Sequence, residues 1–132
     1  MKKVILIVGL IAIIGCAQNI YVQHPNLGSS ENYGRIIIKL TDAVEGINVR
    51  IDGSLVVEDA NTKRIEIQRV PVGSRTIEIS GSGKYRADAI SIEKKVIIQS
   101  NKDEIILINT PPKTTSYYLL MFIAIIIPWV IF

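Results

Sequence analysis

Ile47-Asn48-Val49-Arg50-Ile51-Asp52-Gly53-Ser54-Leu55-Val56-Val57 is the stretch that decides the architecture of this chain. Over residues 47–51 apolar and polar side chains alternate, so an extended strand carries Ile47, Val49 and Ile51 on one face and Asn48 and Arg50 on the other. Asp52-Gly53 then supplies the residue types that take positive φ most readily in a two-residue hairpin. Residues 54–57 are therefore read as the returning strand.

The pattern continues outward in both directions. Residues 35–40 form a dense apolar strand, and Ile65 and Ile67 alternate with Glu66 and Gln68. Pro71-Val72-Gly73 turns the chain into a strand in which Ile77 and Ile79 alternate with Glu78 and Ser80, and Gly81-Ser82-Gly83 turns it again. Residues 90–92, 96–98 and 105–108 complete the series. About seven or eight short strands at regular spacing, with no helical period, predict an all-β fold, a small β-sandwich or meander. Its core is aliphatic, because the only aromatic residues between Cys16 and the tail are Tyr21, Tyr33 and Tyr85. Ile and Val fill it, and their β-branching favours strands.

The middle of the chain resembles the PEGA family of small β-sandwich modules in bacterial envelope proteins. The resemblance lies in Val49-Arg50-Ile51-Asp52-Gly53 and in residues 70–80, where Pro71-Val72-Gly73 matches the family's P-x-G turn before an alternating strand. Asp52, Gly53, Pro71 and Gly73 are thus structural turn positions. The family usually follows this strand with a Gly-Tyr pair, whereas here Lys84 separates Gly83 from Tyr85. Such a pattern implies a fold and no chemistry, since Gly and Pro serve backbone angles.

Both ends are apolar. Met1-Lys2-Lys3 is a positive n-region, and residues 4–14 form an apolar run of signal-peptide length, too short to span a bilayer. The run ends in Ile13-Ile14-Gly15-Cys16, which resembles the lipobox of bacterial lipoproteins. That resemblance implies cleavage before Cys16 and acylation of its thiol and new amino group. Ala17 in place of Asp implies sorting to the outer membrane. Several acyl chains, at roughly 0.8 kcal/mol per buried CH₂, hold far more firmly than one.

At the other end the run Tyr117-Tyr118-Leu119-Leu120-Met121-Phe122-Ile123-Ala124-Ile125-Ile126-Ile127-Pro128-Trp129 leads to Phe132 without a charge. It is read as a transmembrane helix, with Tyr117, Tyr118 and Trp129 as interfacial aromatics and Pro128 tolerated in the last turn. Sixteen residues rise only roughly 24 Å, against a hydrocarbon core of about 30 Å, so recruitment of residues 114–116 or local bilayer thinning is expected.

Charge and composition narrow the function. The formal net charge of +3 includes Lys2 and Lys3, and without them 13 basic residues face 12 acidic ones. That balance leaves no electrostatic footprint for nucleic acid. Cys16 is the only cysteine, so no intramolecular disulfide can form, and His24 is the only histidine, so a His-based triad or metal cluster would need a partner chain. Asp52, Asp59, Asp88 and Asp103 fall at turns or strand edges. Gly81-Ser82-Gly83-Lys84 lacks the full phosphate-loop spacing and precedes a strand. Lys63, Arg64, Arg69 and Arg75, interleaved with Glu66 and Glu78, read as solvated faces of paired strands. The expectation is a non-enzymatic protein with no small-molecule substrate and no cofactor beyond the covalent lipid on Cys16.

The resulting layout is a lipoprotein signal peptide (1–15), lipidated Cys16 with a polar tether (16–33), a β-rich periplasmic domain (34–109), a Pro/Thr linker (110–116) and a transmembrane segment (117–132). This layout resembles the unimolecular spanins of phages of Gram-negative hosts. The resemblance implies a chain that joins outer-membrane lipid, through Cys16, to the inner membrane, through its C-terminal segment, and promotes their fusion in the last step of host lysis. Homo-oligomers are compatible with it. The alternative is a PEGA-like envelope lipoprotein acting as a binding or structural module, with both anchors in one membrane. A compact domain with both tethers extended reaches on the order of 110 to 120 Å, which limits any bridging role.

Overall fold

Two strands carry most of the sheet, because the chain bends without leaving its hydrogen-bonded ladder. The structure, a computed structural model, describes residues 18–25, 32–82 and 86–131, excluding the side chains of residues 128–131. The signal peptide, the lipobox residues Ile13, Ile14 and Gly15, and Cys16 lie outside the described residues, as do Gly83, Lys84 and Tyr85.

The elements in chain order are β1 (Ile20–Gln23), β2 (Tyr33–Ile51), β3 (Ser54–Pro71), β4 (Gly73–Gly81), β5 (Ile90–Ile98), β6 (Asp103–Ile108) and α1 (Thr115–Ile131). All six strands belong to one mixed sheet of order β1-β3-β2-β4-β5, with β6 also on β2. β2 and β3 pair antiparallel from Tyr33↔Pro71 to Ile51↔Ser54. On its other edge β2 pairs with β6 in parallel near its start, Arg35↔Asp103 to Leu40↔Ile108, and antiparallel with β4 at its end, Asn48↔Ser80 to Ile51↔Ile77.

The bend lies at mid-length. β2 advances from Lys39 to Val44 while β3 moves only from Arg64 to Thr62, and further register shifts follow at Ile47 and Val49. Surplus residues on one strand bend a ladder and sharpen its twist. They also switch its inward phase: Ile36, Ile38, Leu40 and Val44 are buried before the bend, and Ile47, Val49 and Ile51 after it. Both halves feed a single aliphatic cluster, which Val57, Ile65, Ile67, Val70, Ile77, Ile79, Ile98, Ile106 and others complete. The bent ladder therefore serves one core, each fully buried Ile or Val contributing about 1.5–3 kcal/mol.

The predominance of strand and the aliphatic core agree with the sequence reading, but strand number and length do not. Residues 35–40 and 47–51 are both β2, 54–57 and 65–68 are both β3, and 90–92 and 96–98 are both β5. Bulges and surface polar runs look like turns in sequence, yet they bend a strand without ending it. The sixth strand is β1, inside the stretch read as tether, which pairs in parallel with β3 from Ile20↔Ile65 to Gln23↔Gln68. Two parallel pairings also depart from a simple meander. Glu66, read as solvated, is buried and held by Arg35 at 2.7 Å and Arg64 at 3.5 Å.

The strand register gives the domain two ends. At the bend end lie residues 41–46, the start of β1, the end of β6, Ser82 and residues 86–90. At the tip end lie the Asp52-Gly53 hairpin, the Pro71-Val72-Gly73 turn and residues 99–102. The tip is tied across by Arg75, which donates to Asp52 Oδ2 at 3.0 Å and to the Pro71 and Val72 carbonyls at 3.1 Å.

Candidate membrane-attachment site

α1 carries residues 117–127 on a helix that shows apolar side chains all round. Leu119 is 59 % exposed, Phe122 62 % and Ile125 59 %, and Tyr118, Leu120, Met121, Ile123, Ile126 and Ile127 are exposed too. The helix packs substantially against no strand. Scattered exposed apolar residues are ordinary on a protein surface, but an unbroken run covering every face of a helix marks an interaction surface. A helix apolar on all sides is one built to be surrounded. Among the described residues no helix is long and apolar enough to cross a membrane. α1 has 17 residues, a rise of about 26 Å against a hydrocarbon core of about 30 Å. Backbone at Pro128 and Trp129 is helical, so the proline does not end the helix.

The approach to α1 is fastened to the bend end. Arg86 is buried, and its guanidinium donates to the Pro111 carbonyl at 2.7 Å, to Asp42 Oδ2 at 3.2 Å and to the Ala43 carbonyl. The Ala87 amide donates to the Pro112 carbonyl at 3.0 Å, and the Thr110 amide donates to Thr41 Oγ1 at 2.9 Å. Lys113 sits 3.8 Å from Asp42 and lies over the Tyr117 ring at 4.2 Å from its centroid. Tyr117 meets Tyr118 edge to face at 5.6 Å. Residues 110–113 are thus held to the domain up to the helix.

The other end of the chain arrives nearby. Thr62 Oγ1 donates to the Gln18 carbonyl at 2.6 Å, and Thr62 is the ladder partner of Val44, two residues beyond Asp42. Ladder partners lie about 5 Å apart, so entry and exit fall within roughly 30 Å of each other. Gln18 and residues 110–113 thus lie at the same end of the domain.

The turn residues read from sequence gather at the opposite end. Asp52 and Gly53 take φ of 49° and 82°, as a two-residue hairpin with the sheet's twist demands. Asp52 also accepts the Thr76 amide at 2.9 Å, and Pro71 and Gly73 flank the turn between β3 and β4. The hydrogen bond from Thr76, ahead of opposing burial and reinforced by Arg75, holds the Asp52 carboxyl below its ordinary value. Burial pushes Asp42 up, but the Arg86 hydrogen bond, the Ala43 amide and the charges of Lys113 and Arg86 together bring it down. Asp103 is lowered chiefly by its hydrogen bond from Arg35. A carboxylate with a depressed folded value adds stability that is complete above its unfolded value, 3.8 here, and is lost as pH falls through the folded one. Thermal unfolding scans should therefore show little effect of these carboxylates between pH 7 and 5 and a steep fall in midpoint below about pH 4, blunted at that step in Asp52→Asn.

Sequence reading singled out the tail and the tip but missed Arg86, Asp42, Thr41, Thr110 and Thr62. Their partners lie tens of residues away, brought together by the parallel β2–β6 pairing, and no local spacing announces such contacts. Among the described residues no group of three or more His, Cys, Asp or Glu is placed to hold a metal ion. No family model matches the chain, and no curated protein matches it in sequence.

Proposed function

We propose that the chain is a single-chain spanin: a β-domain attached to the outer membrane by lipid on Cys16 and to the inner membrane by α1, which promotes fusion of the two in the last step of phage-induced lysis. The observation that carries this reading is α1 itself, an apolar helix exposed on every face at the end of a fastened linker. In this reading the bent sheet closes into a two-layered sandwich, and α1 spans by thinning the bilayer locally, at a modest cost per Å of mismatch. The envelope-module reading, with both anchors in one membrane, draws support from the shared exit at the bend end.

Membrane fractionation after palmitate labelling decides between them. An intact chain recovered with both inner-membrane and outer-membrane vesicles is expected, and Cys16→Ser should remove the label and leave the chain uncleaved and with the inner membrane alone. Recovery of the wild-type chain in a single membrane fraction would replace the spanin with the envelope module.

A further inference from the structure

The shared exit fixes how load enters the domain when its two anchors are drawn apart. Force acts between Gln18 and residues 110–113, both at the bend end, and so runs across the strands instead of along them. β6 meets that force at its C-terminal end: Ile108 lies at the bend, and the strand runs away from it to Asp103 at the tip. Its ladder bonds to β2 are therefore broken one at a time, from Leu40↔Ile108 back to Arg35↔Asp103, and never all together. β2 and β3, joined over their full length and closed at Asp52-Gly53, take no such load along their ladder.

β6 is also suited to leave. It has only six residues, pairs in the ladder with β2 alone, and contributes just Ile106 and Ile108 to the core, while Ile105 and Leu107 face outward and are exposed. Its end is fastened by Thr41, Asp42 and Arg86, the contacts that must open first.

We propose that the folded domain is the short state of the tether and that β6 is its extensible element, released from β2 under tension and re-paired as the anchors approach. The proposal rests on the two-anchor reading above. Release frees residues 99–113, roughly 50 Å of extended chain, while the β2–β3 core stays folded. Re-pairing returns the exit of α1 to within roughly 30 Å of the entry at Gln18.

A disulfide across β2 and β6 tests this in the full-length chain. Lys39 and Leu107 are Cα partners with exposed side chains, at a separation a disulfide accepts. Lys39→Cys with Leu107→Cys, oxidised, should keep lipidation and folding yet abolish recovery with both membranes and abolish lysis, and a reductant should restore both. Each single substitution should behave as wild type. An oxidised double variant that bridges and lyses as wild type would overturn the role of β6 while leaving the two-anchor function standing, whereas wild-type failure to bridge would remove that function itself. Hydrogen exchange on the full-length chain in detergent tests β6 independently of lysis. Amides of residues 105–108 should exchange at least about ten-fold faster than those of Ile65 and Ile67, and slow to match them in the oxidised variant. Equal exchange in the wild type would refute the proposal whatever the lysis assays give.

Discussion

Deleting residues 119–132 while keeping Cys16 should leave a lipidated, folded chain that no longer joins two membranes. α1 packs substantially against no strand, so its removal opens no core, and Lys113, Tyr117 and Tyr118 remain to close the linker. What is lost is the apolar surface of residues 119–127, which has no other role in the fold. In a lysing host that makes no spanin of its own, cells making the truncated chain should stop as fragile, rounded forms after peptidoglycan loss. An unrelated transmembrane helix of similar length should restore at least part of the lysis. Ile125→Lys, a charge near mid-helix, should act as a weaker version, costing roughly 3 kcal/mol of insertion. Lysis by the truncated chain at the wild-type rate would dismiss the two-membrane mechanism.

Gly34→Ala should be the most destabilising small substitution in the domain. A Cβ on Gly34 would lie 2.6 Å from the backbone oxygen of Gln99 and 2.6 Å from Ile98 Cγ2, with the Lys102 oxygen at 3.2 Å. Backbone on a neighbouring segment cannot step aside as a flexible side chain can. The Tyr33 carbonyl accepts the Asn101 amide at 2.9 Å and the Lys102 carbonyl accepts the Arg35 amide at 3.1 Å, so both sides of the contact are hydrogen-bonded. Forcing them apart should cost about 2–4 kcal/mol, a large share of the 5–15 kcal/mol that a domain has in total. Gly53→Ala is the control. Its φ of 82° strains an alanine, but no atom lies within 4 Å of the added Cβ, so about 1 kcal/mol is expected. Equilibrium urea unfolding of the detergent-solubilised chain should separate the two midpoints in that order, and equal midpoints would show that the β2 edge yields.

Much of this fold is legible in the sequence because its local rules and its global arrangement agree. Alternation at Ile47, Val49 and Ile51, and again at Ile77 and Ile79, identifies strands and their buried faces, and Asp52-Gly53 identifies the hairpin between the two longest of them. What escapes is the continuity of those strands. Residues 41–46 and 58–64 carry Asp, Glu, Gly, Asn, Lys and Arg, so they resemble loops; only the register shows them as bulged ladder. β1 escapes for a different reason: four residues on an edge, between Asn19 and His24, give too short a pattern to stand out from a polar segment. Glu66 shows the limit of reading alternation as exposure, since a carboxylate on the outward face is buried when two arginines flank it. The tail is plain in composition, whereas the fastening of its linker is a long-range property that Arg86 alone does not reveal.

The phase switch in β2 gives that strand two hydrophobic reading frames, even-numbered up to Val44 and odd-numbered from Ile47. A residue inserted or deleted within either frame would invert every inward side chain between it and the nearest irregularity, trading Ile and Val for Lys and Arg in the core. Between Leu40 and Ile47 the frame is already broken, and length can change there by adjusting one bulge. A change of length in the middle of β2 should therefore fall most readily in that window, beside Gln18 and residues 110–113. Any such change alters the seat of the segment leading into α1 before it alters the core.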